Sequence, residues 1–133
     1  MPSPTRTVRI TAALAGAGAL ALAFGIRAVA DGPLAQHSGT ALYASLIYAL
    51  VVFVRPRIRP VVAAAVATGF CWAVEVAQLT GIPAMLSAKS IAARLVLGVA
   101  FDPIDLFWYP VGALLVMVLH LLGRHRLHAL TTG

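Results

Sequence analysis

Four stretches of this chain are almost free of charge, and the polar residues between them come in short bursts. The apolar runs cover residues 10–26, 39–54, 61–79 and 103–122. Each approaches the ~20 residues that a helix needs to cross ~30 Å of hydrocarbon. The pattern therefore predicts four spans, at about 10–27, 38–54, 61–79 and 103–122. The breaks carry their own signals. RPRIRP at 55–60 joins three arginines to two prolines and stops the second helix. TGIP at 80–83 turns the chain after the third, and RHRLH follows the fourth. Between the third and fourth runs lies an apolar segment interrupted by Lys89 and Arg94, with Ser90 placed to cap a short helix over 91–99. Its uninterrupted part is too short to span, so it predicts an interfacial or re-entrant helix at about 90–100. The expected fold class is all-α: an integral membrane four-helix bundle, with residues 1–133 forming a single transmembrane domain.

The first run raises a second reading, because AVAD at 28–31 has the small-x-small pattern of a leader-peptide cleavage site. Arg27 just before it, and the length of the run, suit a span better than a removed leader.

Composition agrees with the pattern: 61% of the 133 residues are apolar and 11% are charged, which leaves no room for a separate soluble domain. A net charge of +6 would suit nucleic acid, but the basic residues flank the apolar runs, where they set topology and meet anionic headgroups. The lipid bilayer is the expected partner, and nucleic acid is not. Cys71 is the only cysteine, so neither an intrachain disulfide nor a cysteine-based zinc site can form. Nine arginines against one lysine, with abundant alanine and glycine, suit GC-rich bacterial coding. Arg6, Arg9, Arg55, Arg57, Arg59, Arg124 and Arg126, seven of the ten basic residues, fall on one side of the four-span arrangement. The positive-inside rule then predicts a bacterial inner-membrane protein with both termini in the cytoplasm.

That orientation changes the meaning of the acids. Asp31, Glu75, Asp102 and Asp105 are the only carboxylate side chains, and all fall in the outer half. Glu75 lies roughly 21 Å along a third helix that starts at residue 61, and Gln78 is nearly one turn further. On the fourth helix Asp105, Tyr109 and Gly112 share one face, so Glu75, Gln78, Asp105 and Tyr109 are expected to converge. An ionised glutamate within a span costs ~2.5 kcal/mol or more unless it finds a partner. Arg94 and Arg27 are the candidate partners. Two readings stand side by side: structural pairs that fix helix order, and an outward polar pocket that accepts a headgroup or a small polar ligand. Pro110 should free the Leu106 carbonyl, for which Gln78 or Tyr109 is a candidate donor.

His37 and Ser38 read as a helix cap and an interface group. His120 falls within a span while His125 and His128 flank its tail, so no metal site is expected, and no cofactor motif occurs.

EVAQ at 75–78, ARLVLGVAFD at 93–102 and DLFWYPVG at 105–112 resemble a family of small bacterial membrane proteins known only as a domain of unknown function (number twenty-eight oh-nine). The resemblance covers roughly residues 27–122 and points to Glu75, Gln78, Arg94, Asp105, Tyr109 and Gly112. The acids are also similar in arrangement to the VanZ-like membrane proteins, linked to glycopeptide tolerance and the cell envelope, which usually carry Asn where this chain has Tyr109. These resemblances imply a fold type and a membrane but no reaction. The expected function is that of a non-enzymatic or accessory envelope protein whose polar cluster takes an anionic lipid or other envelope ligand. A membrane-embedded enzyme on a lipid-linked substrate, using Glu75 or Asp105 as base, and a small transporter subunit are the alternatives.

Overall fold

Proline opens helix after helix in this chain. The computed structural model describes residues 3–97 and 102–132, and in it α1 (Pro4–Val29), α2 (Gly32–Val54), α3 (Pro60–Ala77) and α4 (Ile82–Lys89) each carry a proline at their first or second position. There the missing N–H is not needed and the fixed φ is already helical. Ser3 adds a cap to α1, its Oγ accepting from the Arg6 N–H at 3.2 Å. A short α5 (Ile91–Leu97) and a long α6 (Asp105–Thr132) complete the order. Among the described residues there is no strand.

The molecule is an all-α membrane bundle. α1, α2, α6 and the segment Pro60–Thr80, which is α3 with its terminal 3-10 turn, are each long and apolar enough to cross a bilayer. α2 is the central helix, packed against α1, α3 and α6, and α3 also packs on α6. The helices alternate in direction. One end of the bundle gathers the start of α1, the α2–α3 link and the far part of α6, and is rich in arginine. The opposite end gathers the starts of α2 and α6 with the end of α3, and holds the acids.

Its interior inverts the size order of a soluble core. On α3 the buried positions are Pro60, Ala63, Ala64, Ala67, Cys71, Val74 and Glu75, a stripe at helical spacing made mostly of small residues. Ala44, Ser45, Tyr48 and Ala49 answer it from α2, Ala12 and Gly16 from α1, and Gly112 and Ala113 from α6. Large residues such as Leu14, Val61, Phe70, Leu115 and Leu119 point outward. Lipid removes the hydrophobic reason to bury a leucine, and close backbone approach becomes the source of packing energy. The tightest approach is at Gly112, where an added Cβ would collide with the Ala41 carbonyl of α2. Ser45 sits in the same crossing, its Oγ within 3.2 Å of the Gly112 carbonyl and 3.0 Å of the Ala41 carbonyl.

The helices run longer than the apolar runs, for local reasons. Ser3 and Pro4 start α1 ahead of Arg6 and Arg9. Gly32, at φ +73°, lets α2 begin with two residues between it and the end of α1, which brings Gln36 into the helix. Among the described residues between α3 and α6 there are two short helices where the sequence predicts one. Gly81, at φ +78°, ends the 3-10 turn and Pro83 then sits in the first turn of α4, so TGIP is a junction between helices. Ser90 does cap α5, accepting from the Ala93 N–H at 3.3 Å. The rest of the helix expected over 91–99 lies outside the described residues.

Candidate functional site

Glu75 is the last buried position of the α3 stripe and has 0% of its surface exposed. It faces the start of α6 and holds it at two points. Its Oε1 accepts the backbone N–H of Asp102 at 2.6 Å, and its Oε2 accepts the Tyr109 hydroxyl at 2.8 Å. One carboxylate thus joins α3 to the segment leading into α6 and to the second turn of that helix.

That leading segment is itself ordered by an aspartate. Asp102 Oδ1 accepts from the Ile104 N–H at 3.1 Å, and its carbonyl accepts from the Asp105 N–H at 3.0 Å. These bonds meet donors that a helix start leaves without intrahelical partners. Negative charge is also favoured there by the helix dipole. Asp102 Oδ2 in turn accepts from Gln36 Nε2 at 2.6 Å. One turn along α2, Thr40 Oγ1 lies 3.0 Å from Asp105 Oδ1 and 3.0 Å from its own helix carbonyl at Gln36. Between these two residues His37 stacks on Trp108, ring centroids 5.3 Å apart and planes 16° from parallel. The His37 Nδ1 is buried and has no hydrogen-bond partner among the described residues. Tyr43 tilts against Tyr109 one layer deeper, at 6.1 Å.

Of the six residues singled out from the sequence, Glu75, Asp105 and Tyr109 meet in this cluster. Gln78 lies close in sequence to Glu75, half-buried in the 3-10 turn that ends α3. Arg94 on α5 and Arg27 in the last turn of α1 are both exposed. Among the described residues the acids' hydrogen-bond donors are a hydroxyl, an amide or a backbone N–H, and none is an arginine. The pairings expected of Arg94 and Arg27 are not among these bonds. Neutral donors on α2 and α6 already lie within bonding distance of these carboxylates, and α1 packs against α2 rather than on the face that meets α6. Arg27 instead suits the negative end of its own helix dipole.

Pro110 leaves the Leu106 carbonyl without its intrahelical donor, as its sequence position requires. The donor is Trp72 of α3, whose Nε1–H reaches that carbonyl at 2.9 Å, and not Gln78 or Tyr109. An indole N–H pointing sideways from an apolar ring is suited to a lipid-facing groove where water is absent. Ser38 is not a cap either: its Oγ lies 2.6 Å from the Leu34 carbonyl of its own helix.

Sequence reasoning missed Gln36, Thr40, Trp72 and Trp108. The first two form an i, i+4 pair on one face of α2, but nothing in the sequence says that this face meets Asp102 and Asp105. Towards the arginine end, half-buried His120 of α6 has its Nδ1 2.7 Å from the Tyr48 hydroxyl. Among the described residues no group of three or more His, Cys, Asp or Glu side chains is arranged to hold a metal ion.

A family model described as "Protein of unknown function (DUF2809)" matches residues 29–113, which takes in α2, α3 and the Glu75–Tyr109 clasp. No curated protein and no solved structure matches the chain.

Proposed function

The chain belongs to the DUF2809 family of proteins of unknown function, and we propose that it is a non-enzymatic, accessory multi-pass protein of the bacterial inner membrane. Both termini lie in the cytoplasm and the acidic end faces outward. Seven of ten basic residues at the opposite end support that orientation. The Glu75 clasp locks the outer end of the bundle, and the rim above it, with Asp102, Asp105 and the His37–Trp108 stack, takes a polar or headgroup ligand from the envelope side.

The observation that carries this reading is the state of Glu75. A general base must come within hydrogen-bonding reach of a substrate proton. Glu75 has no exposed surface, and its two oxygens are engaged by α6 and by the segment leading into it. Its role is to hold helices together. The second reading, an enzyme acting on a lipid-linked substrate, is favoured only at Asp105, which is half-buried and bonded through one oxygen to Thr40.

Orientation is tested with single cysteines in the native background, because Cys71 is fully buried and stays silent. Lys89→Cys is expected to react with a membrane-impermeant maleimide in intact cells, and Arg57→Cys only after permeabilisation. Reversed labelling would refute the proposed topology.

Role is tested with Asp105→Asn, whose amide oxygen can keep the Thr40 bond. In the accessory reading melting temperature in detergent drops by an amount corresponding to about 1 kcal/mol, and complementation of a deletion strain under envelope stress weakens in step. A variant as stable as wild type that fails to complement would place the charge in chemistry and put the enzyme reading first.

A further inference from the structure

At the arginine end the first turns of α1 and the last turn of α2 line an open groove of about 370 Å³. Its wall changes character with depth. Thr5, Arg6 and Arg9 line the upper part, and Ile10, Leu14 and Phe53 the lower. Along α1 the step from Arg6 to Leu14 is roughly 12 Å, the passage from headgroup level into hydrocarbon. Arg9 is held in place, since its Nε donates to the Phe53 carbonyl at 3.1 Å in the last turn of α2. That bond satisfies one of the carbonyls a helix end leaves open and uses one of the five N–H donors of the guanidinium. The lower wall is exposed and large: Ile10 is 50%, Leu14 68% and Phe53 43% accessible.

We propose that this groove is a binding site for an anionic phospholipid, with Arg6 and Arg9 on its phosphate and Ile10, Leu14 and Phe53 along its acyl chains. Guanidinium groups match a phosphate's oxygens through paired hydrogen bonds, and fixing one of the two arginines in advance lowers the ordering cost of binding. A free phosphate would use the upper wall alone. A partner helix would seek a run of small residues for close backbone approach, and the lower wall offers Ala13 alone among Ile10, Leu14 and Phe53. The volume is that of a small ligand site and suits a glycerophosphate head with the first methylenes of its chains.

The probe is phosphatidylglycerol against phosphatidylcholine of the same chain length, scored as lipid retained by the purified full chain in native mass spectrometry. Wild type is expected to retain phosphatidylglycerol preferentially. Arg6→Gln should lower that retention roughly fivefold, the effect of one arginine at a charged membrane surface. Leu14→Ala should lower it too, and the double change Arg124→Gln/Arg126→Gln, at the same end but outside the groove, should leave it unchanged. Arg9→Gln also removes the bond to Phe53 and can loosen α1, so Arg6→Gln decides. Equal retention of the two lipids, an unaffected Arg6→Gln variant, or an equal loss in the Arg124/Arg126 control would each overturn the site. Displacement of the lipid by millimolar inorganic phosphate would overturn its assignment to a phospholipid.

Discussion

Glu75→Ala is expected to lower the stability of the bundle by about 3 kcal/mol or more, read as the loss of monodisperse protein after heating in detergent. A single interhelical hydrogen bond in a membrane protein averages only about 0.6 kcal/mol, so loss of the Tyr109 bond does not by itself produce this effect. The larger part comes from what is left behind. With the carboxylate gone, the Tyr109 hydroxyl and the Asp102 N–H face a cavity with no acceptor, at about 1–3 kcal/mol for each unsatisfied group. Tyr109→Phe should cost less, about 1–3 kcal/mol, because it leaves one buried oxygen of Glu75 without a donor while the bond to Asp102 stays. The two changes touch one bond, so a double-mutant cycle should show a coupling of roughly 1 kcal/mol. Strict additivity would mean that Glu75 and Tyr109 do not share that bond in the protein.

Gly112→Ala should be comparably damaging, although it adds a single methyl group. That methyl would have to occupy the space of the Ala41 carbonyl, and both partners are helix backbone that cannot swing aside. α2 and α6 must separate, which strains the Ser45 bridge and, two turns back along α6, the Thr40–Asp105 contact. Overpacking of this kind costs about 1–3 kcal/mol and occasionally more. Gly18→Ala is the matched control. Nothing lies within 4 Å of a methyl group at Gly18, and replacing a mid-helix glycine by alanine should stabilise by roughly 0.5–1 kcal/mol. If Gly112→Ala melts together with wild type while Gly18→Ala is stabilised, Gly112 and Ala41 are not in backbone contact in the protein.

Several features of the acidic end were legible without coordinates. The 105, 109, 112 face of α6 follows from helix geometry alone, and so does the freed carbonyl four residues before Pro110. The identity of the donors was not legible. Trp72 serves Leu106 because α3 is rotated so that its alanine stripe and Glu75 face inward, which leaves Trp72 at the edge of the α3–α6 contact. An arginine partner for Glu75 was the economical expectation from charge. The donors on its two oxygens are instead the Tyr109 hydroxyl and a helix-start N–H. Neutral donors such as Gln36 and Thr40 carry no charge pattern to reveal them, and the apolar run that marks their helix begins only after Gln36.

The amino-acid order alone determined that four helices cross a membrane and where charge interrupts them. It also determined that the carboxylates and most of the arginines fall at opposite ends. Those properties depend on hydropathy and on residue spacing along one helix, which the covalent chain sets. Tertiary structure decided which helix faces which, and hence that Glu75 bonds α6, that Gly112 meets Ala41, and that Arg9 and Phe53 close a groove at the other end. Helix rotation is chosen by backbone approach at small residues summed over all contacts of a bundle. No local stretch of the chain carries that sum.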